Sequence, residues 1–270
     1  MDSEQTQQAQ QVVSAQSAGR SALTQGLVLT VGAMLASFQE WYDPTAVEAL
    51  AVAIAARVGS TQRIVSAQQV AYQVRMLELS GRLPTWVGTL EQSALDSLRA
   101  GASPEKVYER LAVQYRFERS QGKPAEQALQ IVSTRAEVMN TTDVALADRA
   151  QAREFYRRNN ITRFKRVIHP ELSKGGTCGL CIAAATREYT TDHLLPIHDR
   201  CECTTAPIVG SYDPGEALNN LDLADLYGDA GSNTGADLKR TRYQVNQHGE
   251  LGPVLAPHGT PSTPAYLRAA

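Results

Sequence analysis

The chain has 270 residues, 43% hydrophobic, 20% charged and 6% aromatic, and its 26 basic and 28 acidic side chains leave a formal net charge of −2. That length holds one large domain or two small ones, and the near-neutral balance excludes a protein that coats nucleic acid over its whole surface, which would carry a basic excess throughout. Any polyanion contact is therefore local.

Residues 1–22 are rich in Gln, Ala and Ser and read as a polar N-terminal arm or the start of a polar helix. Met1-Asp2-Ser3-Glu4-Gln5 lacks the positive region that opens a secretory signal, so a cytoplasmically made protein is expected. From Leu23 to Trp41 apolar residues lie nearly all round the helical wheel, which suits a buried or partner-binding helix. Its most apolar stretch, Gly26 to Ala36, is too short for a hydrocarbon layer that takes about 20 residues to cross, so no membrane contact is expected. Phe38, Trp41 and Tyr42 follow, either as a partner anchor or as core.

Asp43-Pro44 pairs an N-cap acceptor with a proline suited to a first helical turn. Ser60 or Thr61 can cap a further helix through Ile64, Val70 and Met76 that ends near Gly81. Trp86, after Leu83-Pro84-Thr85, reads as a packing residue between helices. Ser103-Pro104 starts a helix through Val107, Leu111 and Tyr115, and Gly122-Lys123-Pro124 opens one reaching Leu129 and Val132. From about Thr142 the pattern is helical again up to Asn159-Asn160, so residues 23–160 form a mostly helical region without a fixed repeat. The texture then changes. Phe164–Ile168, Thr186–Thr190 and Cys203–Val209 are strand candidates in a small module spanning 161–210. Beyond it, Asp213-Pro214-Gly215 marks a turn, Leu218 to Leu226 a short helix, and 211–270 as a whole an irregular or disordered tail. His248 and His258 fall in that tail. The expected class is α+β.

The four cysteines all fall in one window: Cys178 and Cys181, then sixteen residues to His198, Cys201 and Cys203, a C-x2-C-x16-H-x2-C-x-C pattern. A CxxC turn, eased by Gly179, lets two thiolates point at one centre, and a second pair from a distant segment completes a tetrahedron. Zinc takes four S or N ligands, so one of the five donors is a bystander; Cys178, Cys181, His198 and Cys201 are the first choice and Cys203 the next. Cys201 and Cys203 share a side if that piece is a strand, which leaves an all-cysteine site open. The same cysteines also suit two disulfides, a redox pair or a nucleophile beside His198 or His193. No G-x-S-x-G, H-E-x-x-H or P-loop is present. His169-Pro170 precedes the module and orders its start.

The runs Arg166 to Leu172, Gly176 to Ala184 and Leu194 to Cys203 resemble the minor head proteins of tailed phages related to phage Mu protein F, most closely the variant of actinobacterial phages. The resemblance covers about 140–210, with His198-Asp199 standing where the family usually has a histidine-proline step. It implies a virion protein inside the head near the portal, made in the host cytoplasm. The implied partners are the portal and the major capsid or scaffold proteins, and the implied role is head morphogenesis or DNA packaging and delivery. One structural zinc staples the module, since about fifty residues bury too little core alone. The alternative class is an enzyme, a capsid maturation protease or another hydrolase using the Cys/His module. Arg149, Arg153, Arg157, Arg158, Arg163 and Arg166, with Lys165 and interleaved Phe155, Tyr156 and Phe164, form a basic cluster able to meet packaged DNA, or else a solvated, ion-paired helix face.

Overall fold

The computed structural model describes residues 1–99, 101–169, 185, 187–191 and 203–219, and the backbone of 243–248 and 252–257. Three long helices dominate: α1 (Ser3–Ser37), α2 (Pro44–Leu79) and α5 (Ala125–Arg158), joined by the short α3 (Gln92–Asp96) and by α4 (Pro104–Ser120). Strands β1 (Arg163–Val167), β2 (Glu188–Thr190) and β3 (Thr204–Ile208) form an antiparallel sheet of order β2-β1-β3, and β4 (Tyr243–His248) pairs with β5 (Gly252–Pro257). The architecture is α+β.

Local chemistry explains the boundaries. The Asp2 carboxylate accepts from Gln5 N–H at 2.7 Å and the Gln5 side chain returns the bond, a reciprocal capping box. The expected polar arm is thus the first half of α1. Asp43 and Ser103 cap α2 and α4 ahead of a proline in the first turn, as their sequences predict. The predicted break at Ser60 and Thr61 does not occur. Thr61 Oγ1 donates back to Arg57 C=O at 3.0 Å, a mid-helix bond that leaves the backbone ladder intact. The two helical runs expected between Pro124 and Asn159 are likewise the single α5, which ends where Asn160 takes a φ of 52°.

The expected turn at Asp213 is a cap instead: its carboxylate accepts from Glu216 N–H at 2.9 Å and starts a short helix at 214–219. The rest of the helix expected up to Leu226 lies outside the described residues. The tail expectation is corrected at β4 and β5, whose register sets Val245 opposite Leu255.

The helices pack by halves. The C-terminal half of α1, the N-terminal half of α2, α4 and the first turns of α5 enclose Val31, Leu35, Ile54, Leu111 and Val132. There Trp41 stacks on Tyr115 at 4.3 Å and meets Phe38 edge-on at 4.9 Å, so Trp41 is core, Phe38 packs half-buried against it and Tyr42 is exposed. At the other end, Leu77, Phe155, Tyr156 and Phe164 join α2 and α5 to the sheet, and Ala9, Val13, Met76, Val167 and Ala206 bring α1 onto it. No described helix is long and apolar enough to cross a membrane.

Candidate functional site

Between these apolar clusters runs a buried polar seam that the hydrophobic pattern alone does not reveal. On α2, Gln62, Ser66, Gln69 and Gln73 recur at the spacing normally held by core apolar residues, and all are buried. Gln16 Nε2 of α1 donates to Gln69 Oε1 at 2.6 Å and to Asp148 Oδ1 of α5 at 3.0 Å. Arg20 Nη1 pairs with Asp148 Oδ2 at 3.1 Å. Farther along, Asp143 accepts from Arg99 Nε and from Tyr108 O–H, each at 2.6 Å, beside a cavity lined by Gln62, Leu95 and Tyr108.

The seam ends on the segment that closes the Cys/His module. The Cys203 carbonyl accepts from Arg20 Nη1 at 3.3 Å and from Arg149 Nη2 at 2.8 Å. The Thr205 carbonyl accepts from Tyr72 O–H, Gln73 Nε2 and Tyr156 O–H, each at 3.1 Å. Burial pushes both tyrosine phenols up from their ordinary pKa, which keeps each O–H a donor. Five side chains from α1, α2 and α5 thus grip two carbonyls at the start of β3.

The sulfur of Cys203 belongs to the same knot. It is buried, and guanidinium nitrogens of Arg149 and Arg166 each lie 3.6 Å from Sγ, so they donate and the sulfur accepts. Arg166 in turn lies over the Tyr189 ring, 5.2 Å from its centroid. Burial raises the Tyr189 phenol pKa, against the opposing field of Arg166.

The incoming side is fastened to the outgoing one. Val167 pairs with Thr204, His169 Nε2 shares a hydrogen bond with Thr204 Oγ1 at 3.1 Å, and Asn219 bridges Ile168 N–H, Arg166 C=O and Ala185 C=O. His169 thus lies at the module's start, as its position predicts. The chain leaves β1 after Val167, rejoins the sheet at Glu188 opposite Lys165, and reaches β3 at Thr204 opposite Val167. The stretch bearing Cys178 and Cys181 therefore leaves the sheet at its Val167 end and returns beside Lys165, whereas the stretch ending in His198, Cys201 and Cys203 departs after Thr190, opposite Arg163, and returns at the Val167 end. Cys178, Cys181, His198 and Cys201 themselves lie outside the described residues, and among those described no group of three or more His, Cys, Asp or Glu can hold a metal ion.

The predicted basic cluster divides in two. Arg149 and Arg166 are 2% and 0% exposed and face the interior, where packaged DNA cannot reach them. Four residues of helix overshoot a full turn by roughly 40°, so the line from Arg149 through Arg153 to Arg157 swings from the inner face to the outer one. Lys165 is buried against Asp213 and Glu216, at 2.8 and 2.9 Å, and Phe155, Tyr156 and Phe164 are core. Desolvation opposes the Lys165 charge, but these two carboxylates outweigh it and raise its pKa.

Arg153, Arg157, Arg158 and Arg163 are exposed. Arg157 and Arg158 share Glu154, at 2.7 and 2.8 Å, and Arg163 pairs with Glu188 at 2.9 Å. Hydrogen bonds from Arg157 and then Arg158 pull the Glu154 carboxyl down to about 2.

Comparison with protein-family models, with curated proteins and with solved structures finds no match.

Proposed function

We propose that this protein is a minor head protein of a tailed bacteriophage. In this reading it sits inside the head, bound to the portal and to major capsid or scaffold proteins, and acts in head morphogenesis or in DNA packaging and delivery. The reading rests on the C-x2-C-x16-H-x2-C-x-C pattern and its flanking sequence, and it is supported by the grip of α1, α2 and α5 on the Cys203 and Thr205 carbonyls. Such a grip transmits the position of a small module to a long helical body, as a structural role needs and as turnover does not. One zinc, held by Cys178, Cys181, His198 and Cys201 with Cys203 next in line, supplies folding free energy to the module. Arg153, Arg157, Arg158 and Arg163 remain as the exposed residues available to packaged DNA.

Two measurements test this. Co-expression with the portal and major capsid protein of the same phage should give heads that carry the chain, and exclusion from both portal rings and heads overturns the assignment. Metal analysis of the reduced, folded protein should find about one zinc per chain, and a folded protein without metal defeats the zinc site. Loss of major capsid protein processing in a folded Cys178→Ser variant would move the assignment to the maturation protease.

A further inference from the structure

We propose that the N-terminal half of α1, residues 3–20, is a strap that comes off the fold as a unit while residues 27–37 stay in place. The two halves of this one helix bury different chemistry. The inward positions of the C-terminal half are Leu27, Val31 and Leu35, which are 3%, 0% and 0% exposed and join the core shared with α2, α4 and α5. Those of the N-terminal half are Ala9, Val13, Gln16, Ser17 and Arg20, of which only Ala9 and Val13 join an apolar cluster. Large apolar side chains find no equivalent of the core in water, so the first set ties α1 down. A hydrogen bond across an interface exchanges for one to water at little net change, so the second set ties it far less.

Beyond Ala9 and Val13, the hold on the strap is polar. Gln16 donates to Gln69 and Asp148, Gln68 Nε2 donates to Gln16 C=O at 3.1 Å, and Arg20 reaches Asp148 and the Cys203 carbonyl. The same region leaves polar atoms unmet. Gln16 Oε1 and Ser17 Oγ of α1, with Ser66 Oγ and Gln69 Nε2 of α2, are buried without a hydrogen-bond partner among the described residues. Gln16 and Gln69 touch directly, and Ser66 lies one turn from Gln69 on the same buried face. Solvent meets all four atoms once the strap is out, and it rehydrates the Arg20 and Asp148 charges. These gains offset much of the cost of uncovering Ala9, Val13, Tyr72 and Met76.

The hinge lies between the halves. Thr24 Oγ1 donates back to Arg20 C=O at 2.9 Å and Thr30 Oγ1 to Gly26 C=O at 2.8 Å, bonds that bend helices. Gly26, between them, weakens the helix further at a point where a Cβ would meet nothing within 4 Å. A detached helix of about 18 residues is marginal in water, so the strap melts when it leaves. Opening also withdraws Arg20 from the Cys203 carbonyl and leaves the start of β3 to Arg149, Tyr72, Gln73 and Tyr156. The strap therefore sets how firmly the helical body holds the Cys/His module.

Amide hydrogen exchange of the full chain, read residue by residue, tests the strap. Residues 9–20 should share one protection factor, at least a hundredfold below that of residues 27–35, which open only with the core around them. Ser17→Ala combined with Ser66→Ala removes two unmet hydroxyls and should slow exchange of 9–20 about tenfold while leaving 27–35 unchanged. Melting curves check that the double variant folds. Equal protection of 9–20 and 27–35 overturns the proposal. So does protection that falls steadily from Arg20 toward Ser3, which is the fraying of a free end, or a double variant whose 9–20 exchange is unchanged or faster. None of these readings involves the portal or zinc, so the strap and the proposed function stand or fall separately.

Discussion

Replacing Arg20 by Met separates the electrostatic part of the buried seam from its packing. The Arg20 and Asp148 side chains are each 3% exposed, and the Asp148 carboxylate otherwise accepts only from Gln16, at 3.0 Å, among the described residues. Methionine keeps an apolar stem of similar reach but leaves the carboxylate in the interior without its cation. Removing one partner of a buried pair costs about 3–5 kcal/mol, a Tm drop on the order of 10 °C for a chain of this size. Adding Asp148→Leu removes the stranded charge, and a pair replaced by apolar groups is often neutral, so the double variant should regain most of the loss. Urea unfolding followed by far-UV circular dichroism reads both. A loss below about 1 kcal/mol for Arg20→Met, the range of exposed ion pairs, would refute the reasoning, as would a double variant no better than the single one.

Gly88→Ala drives a methyl group into the Trp86 indole, with an expected loss of about 1–3 kcal/mol and a red-shifted tryptophan emission; an unshifted spectrum at full stability would contradict the close approach. Asn159→Ala removes the acceptor of Thr85 and Trp86 N–H and should cost about 1–3 kcal/mol, read as faster amide exchange at those two residues while Leu90, held by Gln151, stays protected. The Glu154 carboxyl, held at about 2 by Arg157 and Arg158, lies below its unfolded value of 4.5. Its contribution to stability is therefore full above about pH 4.5 and is lost as the pH falls toward 2. Solvent screening keeps that contribution small, so the sharper readout is a carbon-detected titration of Glu154 with its midpoint near 2; a midpoint near 4.5 would show the two arginines released in solution.

Helix ends and strand positions were legible in the sequence because they depend on a few neighbouring residues. Asp43-Pro44, Ser103-Pro104 and Asn159-Asn160 mark real boundaries, and the three strand candidates of 161–210 are β1, β2 and β3. Continuity through Ser60 and through Thr142 was not legible. A serine or threonine that caps a helix and one that bonds back to the preceding turn look identical until the neighbouring helices hold the backbone straight. The Cys/His pattern, too, was visible as spacing.

What surrounds that module was decided by tertiary structure alone. Sequence places seven basic residues within 149–166, but not which of them point inward. Arg149 and Arg166 are buried because α5 and β1 turn them toward the Cys203 carbonyl and sulfur, and Lys165 because two carboxylates from the start of the 214–219 helix meet it. The glutamines of α2 carried the one overlooked signal, polar residues at a core period. Periodicity tells that a face is buried, while the partners that make a polar face stable there come from segments up to 132 residues away and exist only once the chain has folded.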